Sequence, residues 1–178
     1  MTSKQREISA KWIKKNALTY GTGSVSAKVI NRVGMAKATQ RAFRRAVKEA
    51  SKKLDKRIEF LLIDAFYIPY VSGLPRSTKK IKGNGKIENS KSKQLAIIRG
   101  DEKSFSIAAA SIIAKVYRDS LMGKIGKRSI YKRYKWFKNK GYATKEHREA
   151  ILKYGLTGYH RKQFVETYFS NFFSSQFP

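Results

Sequence analysis

A chain of 178 residues with 41% apolar side chains is long enough to bury a core as one domain, which argues against an intrinsically disordered protein. Forty Lys and Arg against twelve Asp and Glu give a formal net charge of +28, and such a field attracts polyanions. The absence of cysteine excludes disulfides and thiolate metal sites, and no apolar run reaches the roughly 18 residues of a membrane span.

The first elements are a helix and a short strand. Residues Gln5–Ala17 have helical spacing, and one face of this helix carries Ile8, Trp12 and Ile13. The following segment Leu18–Ser26 alternates and predicts a short strand. The N-terminal residues lack a hydrophobic signal core, so we expect a cytoplasmic protein that is not secreted.

Two helices separated by a glycine follow. Ser26 can cap a short helix that extends toward Val33, and Gly34 breaks the chain. A longer helix is predicted for Met35–Leu54, with Arg and Lys on one face and apolar residues on the other: Ala36, Phe43, Ala46, Val47 and Ala50.

The central part predicts two strands. Arg57–Asp64 contains a continuous apolar run, which is typical of a strand buried on both faces. Gln94–Arg99 is a second strand of this kind. Between them, Thr78–Lys93 is rich in Lys, Gly, Asn and Ser, and predicts a mobile basic loop.

The remaining elements are helices. Ser104–Leu121 is predicted to pack through Ile107, Ala110, Ile113, Ala114 and Tyr117. Thr144 caps a helix over Lys145–Tyr154 that ends at Gly155, and Gln163–Phe177 forms a last helix with a large apolar face. Strands followed by helices indicate an α/β fold, in one domain over residues 1–178 with a helical C-terminal region from about 122 to 178.

Aromatic residues are interleaved with cations in RSIYKRYKWFKNKGY, residues 128–142. Cations contact phosphates and flat rings stack on sugars or bases, so this pattern favours nucleic acid as the partner. A well-solvated charged surface, with a helix end and core aromatics, is the alternative interpretation of the same residues.

Two carboxylates directly follow apolar strands. Asp64 follows Leu-Leu-Ile, and Asp101 follows Ile-Ile-Arg-Gly. Carboxylates at strand ends can hold Mg²⁺ for phosphoryl chemistry, and two metal ions about 4 Å apart can bind both oxygens of a cleaved phosphodiester. Helix capping and turn formation are the alternative roles for these two residues. Asp119 is interpreted as an ion-pairing helix residue.

The segments LLIDA, IIRGDEKSFSIAAASIIAKVYRDSLM and NKGYATKEHREAILKYGLTGYHRKQF resemble bacterial ribonuclease HII, as does the stretch from Thr2 to Val47. The resemblance covers nearly the whole chain in the family's order. It departs in detail: Asn139 stands where a histidine often precedes Lys-Gly-Tyr, and the spacing from Asp64 to Asp101 is longer than in some members.

The resemblance implies a ribonuclease H-like fold, with a mixed sheet flanked by helices. It implies an endonuclease that cleaves the RNA strand of RNA–DNA hybrids and nicks duplex DNA at embedded ribonucleotides, with Mg²⁺ or Mn²⁺. Asp64 and Asp101 match the third and fourth of the family's four carboxylates. Tyr142 matches the tyrosine that contacts the ribonucleotide junction. The further substrate-binding candidates are Ser111, Lys115, His160 and Arg161, and packing roles are equally compatible with Ser111 and Lys115.

The family's first two carboxylates form an adjacent Asp-Glu in a glycine-rich motif, and this sequence contains no such motif. Its Asp101-Glu102 pair belongs to the Gly-Asp match. We therefore expect an N-terminally truncated fold that lacks the first two strands, either through an incomplete gene or through a genuine truncation. The activity of this chain alone is then in doubt.

Two further interpretations differ in kind from an active ribonuclease. One is a non-catalytic basic protein that binds RNA or DNA, which the charge and the missing Asp-Glu favour. The other is a different nuclease or transposase of the same superfold, against which the Lys-Gly-Tyr segment and the SIAAASIIAKV helix argue. For the complete enzyme we expect a monomer that is not bound to a membrane.

Overall fold

The computed structural model describes residues 1–54, 58–71, 80–81, 87–88 and 94–176, with side chains for 1–54, 58–71 and 94–170. Its helices are α1 Ser3–Asn16, α2 Ala27–Val33, α3 Met35–Ser51, α4 Gly100–Lys103, α5 Phe105–Gly126, α6 Trp136–Asn139, α7 Lys145–Tyr154 and α8 Lys162–Gln176, with a 3-10 helix at Ser129–Tyr134. Its strands are β1 Leu61–Asp64, β2 Lys80–Ile81, β3 Ile87–Glu88 and β4 Gln94–Ile97. The fold is therefore α/β, as predicted.

Local signals in the sequence determine where several helices begin and end. The Thr2 hydroxyl and the Gln5 side chain form a reciprocal capping box at the start of α1. Ser26 caps α2, and Thr144 caps α7, as predicted. Gly34 follows α2 with a φ of 78°, and Gly155 follows α7 with a φ of 74°, a backbone region that favours glycine.

The chain forms two compact units. Unit 1 comprises Met1–Ser24 and Gln40–Tyr117, and unit 2 comprises Val25–Thr39 and Arg118–Pro178. One boundary follows Ser24, before α2, and the other two fall within α3 and α5. The prediction of a single domain stays a prediction.

Unit 1 contains the parallel pair of β1 and β4, in which Asp64 lies opposite Ile97. Its core is formed by Ile63, Ile68 and Val71, and α3 contributes Phe43, which stacks on Phe66 at 5.8 Å between ring centroids. Strands β2 and β3 form a separate antiparallel pair. The predicted loop Thr78–Lys93 otherwise lies outside the described residues, and so does the predicted strand start at Arg57.

Three sequence predictions about unit 1 were wrong. Residues of Leu18–Ser26 form no strand, because Gly21 and Gly23 lie directly against the backbone of α3 and no described strand pairs with this segment. The strands are not buried on both faces, since Leu62 and Leu95 are exposed. The packing face of α1 is also different: Ile8 and Trp12 are exposed, and its buried residue is Ala10.

Helix α5 packs through fewer residues than predicted. Ile107 and Ile113 are buried, whereas Ala110, Ala114 and Tyr117 are exposed. The helix also extends to Gly126, beyond the predicted end at Leu121. Its residues from Arg118 onward belong to unit 2, where Ile125 packs with the buried residues Tyr134, Trp136 and Ala150.

Among the described residues, no helix combines the length and the apolar character that crossing a membrane requires.

Candidate active site and nucleic-acid interface

Asp64 contacts the backbone of Gly100, the residue that directly precedes Asp101. The Gly100 N–H donates to Asp64 Oδ1 at 2.9 Å, and Ala65 N–H donates to the Ile97 carbonyl at 2.9 Å. Asp101 is the next residue after Gly100 and lies in the first turn of α4. Parallel pairing of β1 with β4 thus places Asp64 beside the residue that precedes Asp101. The metal-ligand role predicted for both carboxylates stays a prediction.

Position 100 favours glycine. A Cβ there would lie 2.7 Å from Ile107 Cδ1 and 3.3 Å from Asp64 Cα. Gly100 is buried, so the neighbouring atoms have little room to move. The Gly-Asp sequence therefore provides the close approach that lets the Asp64 carboxylate accept the backbone hydrogen bond.

The two carboxylates match the ligand chemistry of one hard divalent cation. Both residues are exposed, and carboxylate oxygens with several waters are what Mg²⁺ accepts. Across the described residues, no group of three or more His, Cys, Asp or Glu side chains could enclose a metal ion. Asp64 and Asp101 thus fit a partly hydrated ion, and do not form a closed cage of protein ligands.

Ser111 and Lys115 lie one turn apart on α5, in unit 1. The Ser111 hydroxyl donates to the Ala108 carbonyl at 2.9 Å, so it bonds within its own helix. Lys115 is exposed. Both predicted roles, phosphate contact and packing, remain predictions.

In unit 2, Tyr142 is exposed and lies beside a guanidinium. The Arg118 Cζ is 4.6 Å from the centroid of the Tyr142 ring, which is a cation–π distance. Arg118 Nη1 also lies 3.7 Å from Asp119 Oδ1, which agrees with the ion-pairing role predicted for Asp119. Arg118 therefore supports one face of the ring.

Arg161 is held on both sides by one asparagine of α2. Asn31 Nδ2 donates to the His160 carbonyl, and the Lys162 N–H donates to Asn31 Oδ1, each at 3.0 Å. The Arg161 guanidinium lies 4.2 Å from the centroid of Phe164. Partial burial and the nearby charge of Arg118 lower the pKa of Arg161. Arg118 thus lies beside Tyr142 and acts on the charge of Arg161, and two cations in one region of unit 2 suit an anion.

His160 is buried in unit 2, which differs from the direct substrate contact predicted for it. Its Nδ1 accepts from the Thr157 N–H at 2.9 Å, and its Nε2 lies 3.3 Å from Nε2 of His147. Trp136 Nε1 donates to the same His147 nitrogen at 2.9 Å. Both ring nitrogens of His160 are thus engaged inside the protein, because the surrounding aromatic core encloses the ring.

Burial keeps both histidines neutral. It lowers the pKa of His160 to about 4, and the proximity of His147 adds to this effect. Burial also lowers the pKa of His147, although the hydrogen bond to the Tyr142 carbonyl acts in the opposite direction. At neutral pH the interior of unit 2 therefore contains two uncharged imidazoles.

The sequence interpretation missed four residues that support the candidate contacts: Arg118, His147, Trp136 and Asn31. His147 and Arg118 lie inside the segments TKEH and YRD, so the local motif was visible although its contacts were not. Asn31 is 129 positions away from His160 in the sequence, and no periodicity connects them.

The fold and these contacts define an α/β protein with strand-end carboxylates in one unit and cations beside aromatic rings in the other. The family model described as ribonuclease HII matches residues 1–172. The chain therefore belongs to the ribonuclease HII family.

Curated relatives named ribonuclease HII agree with this result. The protein of Caldanaerobacter subterraneus subsp. tengcongensis is 42% identical over 166 residues, which are 93% of this chain and 58% of that protein. The one from Clostridioides difficile is 41% identical over 86% of this chain and 51% of its own length, and the one from Bacteroides thetaiotaomicron is 38% identical over 92% and 70%. The chain thus spans between half and about two thirds of the length of these relatives.

Proposed function

We propose that this chain acts in a ribonuclease HII-type endonuclease with a ribonuclease H-like fold. The reaction is hydrolysis of phosphodiesters in the RNA strand of RNA–DNA hybrids, and nicking of duplex DNA at embedded ribonucleotides. The observation that carries the proposal is the hydrogen bond from the Gly100 N–H to Asp64, which links Asp64 to the residue directly before Asp101 in a chain of this family.

In this proposal, Asp64 and Asp101 are the ligands of a divalent cation, Mg²⁺ or Mn²⁺. A bound ion of this kind supplies an activated water and polarises the phosphoryl oxygens. Asp64 uses one oxygen for the Gly100 N–H, which fixes the orientation of its carboxylate. Its other oxygen and the exposed Asp101 side chain remain for the ion.

Unit 2 provides contacts to the nucleic acid. Tyr142 contacts the sugar at the ribonucleotide junction, Arg161 binds a phosphate, and Ser111 and Lys115 of unit 1 are further candidates for the backbone. Neutralisation of phosphates by many cations releases counterions, so the affinity should fall steeply as salt increases. We expect the complete enzyme to be a cytoplasmic monomer, which light scattering on the purified protein would test.

Cleavage of a DNA duplex with one ribonucleotide, in Mg²⁺ or Mn²⁺ and in EDTA, tests the proposal. For the complete enzyme we expect nicking in Mg²⁺ or Mn²⁺ and none in EDTA, and we expect Asp64→Asn to abolish this nicking. Glu59→Gln is the matched control, because Glu59 is an exposed carboxylate five residues before Asp64. Retention of nicking in Asp64→Asn would contradict the proposed role of that carboxylate.

A second candidate function is non-catalytic binding of nucleic acid. It is favoured by the net charge of +28 and by the absence of a larger carboxylate group among the described residues. Binding in EDTA without any nicking in either metal would support this candidate over the first.

A further inference from the structure

The backbone at Tyr142 is fixed by hydrogen bonds on both sides of the residue. Tyr142 N–H donates to the Asn139 carbonyl at 2.9 Å, and its own carbonyl accepts from the Thr144 N–H at 2.9 Å. The same carbonyl lies 2.9 Å from His147 Nδ1. The Tyr142 side chain is exposed, so its position depends on these backbone contacts and on Arg118.

The donors around His147 determine its tautomer. The indole N–H of Trp136 can only donate, so His147 Nε2 must accept and the ring proton must be on Nδ1. Nδ1–H then donates to the Tyr142 carbonyl. His160 accepts the Thr157 N–H at Nδ1, so its proton is on Nε2, which faces His147 Nε2. In this arrangement each of the four ring nitrogens has a partner, and the single lone pair of His147 Nε2 is shared by two donors, Trp136 Nε1–H and His160 Nε2–H.

This arrangement connects the buried core of unit 2 to an exposed residue. Trp136, His147 and His160 are each 5% exposed or less, whereas Tyr142 is 58% exposed. The rings of Tyr134 and Tyr159 pack edge-on against this group and restrict its motion. Among the described residues, the hydrogen bond from His147 Nδ1 links the pair of imidazoles to the Tyr142 backbone.

We propose that His147 is a positioning residue that holds the Tyr142 backbone and so sets the preference for a ribonucleotide at the junction. The proposal rests on the proposed function, because it assumes that Tyr142 contacts the junction sugar. His160 and Trp136 act behind His147 by fixing its tautomer and ring orientation.

Two substitutions of His147 test its two ring nitrogens one at a time. In His147→Asn the side-chain amide takes the place of Nδ1–H and can still donate to the Tyr142 carbonyl. In His147→Gln the amide reaches the place of Nε2 and can accept from Trp136, but the bond to Tyr142 is lost. The readout is the ratio of dissociation constants, in EDTA, for duplex DNA with and without one ribonucleotide.

We expect His147→Asn to keep the ratio within about twofold and His147→Gln to reduce it about fivefold, the usual effect of one hydrogen bond. We expect the opposite order for the unfolding free energy, with His147→Asn less stable than His147→Gln. The Asn variant leaves the buried donors of Trp136 and His160 without an acceptor. In the Gln variant, the Tyr142 carbonyl loses its bond to residue 147 but still accepts from the Thr144 N–H. The proposal would be overturned if the ratio of dissociation constants were lower in the Asn variant than in the Gln variant, because the ratio would then follow the stability of the protein.

Tyr142→Ala distinguishes this inference from the function on which it rests. If Tyr142→Ala reduces the ratio and His147→Gln does not, only the positioning role is wrong. If Tyr142→Ala has no effect, the proposed contact of Tyr142 is wrong as well. Nitrogen NMR of the unsubstituted protein gives a test that needs no variant: a proton on Nε2 of His147 would also overturn the proposal.

Discussion

The two units differ in how their functional residues are supported. In unit 2, Trp136 stacks on Tyr131 and Tyr134 and donates to His147, so the residues behind Tyr142 form a closed, satisfied group. In unit 1, Asp64 and Asp101 lie at the end of a two-stranded sheet whose Leu62 and Leu95 are exposed. A backbone hydrogen bond from Gly100 is the contact that orients Asp64.

This difference suggests that the two units contribute differently: unit 2 to binding and unit 1 to metal chemistry. Unit 2 can preorganise aromatic and cationic contacts with its own residues, because every polar atom of the histidine pair has a partner. The carboxylates of unit 1 are exposed and few, so the strength of a metal site there depends on what else approaches them. We therefore expect substitutions in the core of unit 2 to have the largest effects on stability.

The largest effect is expected for Trp136→Ala. Trp136 is 1% exposed and fills the centre of the aromatic core, so its truncation should cost about 3–5 kcal/mol of unfolding free energy. Trp12→Ala is the matched control: Trp12 is 64% exposed, and the cost should be below about 1 kcal/mol. Urea denaturation followed by circular dichroism measures both. Equal costs would contradict the contrast between the units.

The second largest effect is expected from acid, which should lower the unfolding free energy of unit 2. The pKa of His160 is about 4 in the folded protein and near 6.5 when unfolded, so the unfolded state binds more protons at intermediate pH. The stability present above about pH 6.5 is lost as the pH falls toward about 4, by roughly 3 kcal/mol for His160. His147, whose pKa is also lowered, changes stability in the same direction.

Fluorescence of Trp136 in the Trp12→Phe variant reports on this loss specifically, because the chain has two tryptophans. The control is the same measurement in His160→Asn, whose side chain does not titrate and should give a flatter dependence between pH 6.5 and 4. An unfolding free energy that stays constant from pH 7 to pH 5 would show that His160 takes up protons as readily in the folded state.

Gly100→Ala should have a smaller effect, in unit 1. The added Cβ meets Ile107 and Asp64, and such overpacking costs about 1–3 kcal/mol. Gly158→Ala is the control, since no atom lies within 4 Å of a Cβ at that position. Metal affinity measured by calorimetry should fall with Gly100→Ala and stay unchanged with Gly158→Ala. If the metal affinity were unchanged in both variants, Asp64 would not be a ligand of the candidate metal site.

The features that could be predicted from the sequence are those that depend on residues close together along the chain. Helix α7 has the predicted bounds because Thr144 and Gly155 act locally. Asp64 follows β1 as predicted, and the parallel pairing of β1 with β4 places it near the segment that carries Asp101. The burial of β1 and β4 was not predictable, since an apolar strand is buried only where another element covers it. The histidine pair depends on contacts between distant positions and on proton placement, and neither has a sequence pattern.

The smallest effect is expected on the open face of unit 1. Leu95→Thr removes apolar surface from a side chain that is 50% exposed, and threonine keeps the strand propensity, so the unfolding free energy should change by less than about 1 kcal/mol. Ile63→Thr on the neighbouring strand is the matched control. Ile63 is 4% exposed, and burying a hydroxyl there should cost a few kcal/mol, on the order of 2–3. A cost for Leu95→Thr as large as that for Ile63→Thr would mean that Leu95 is covered in solution, because only a buried side chain loses that much. The contrast between a closed unit 2 and an open unit 1 would then be wrong, and the protein concentration at which the cost disappears would show whether a second copy provides the cover.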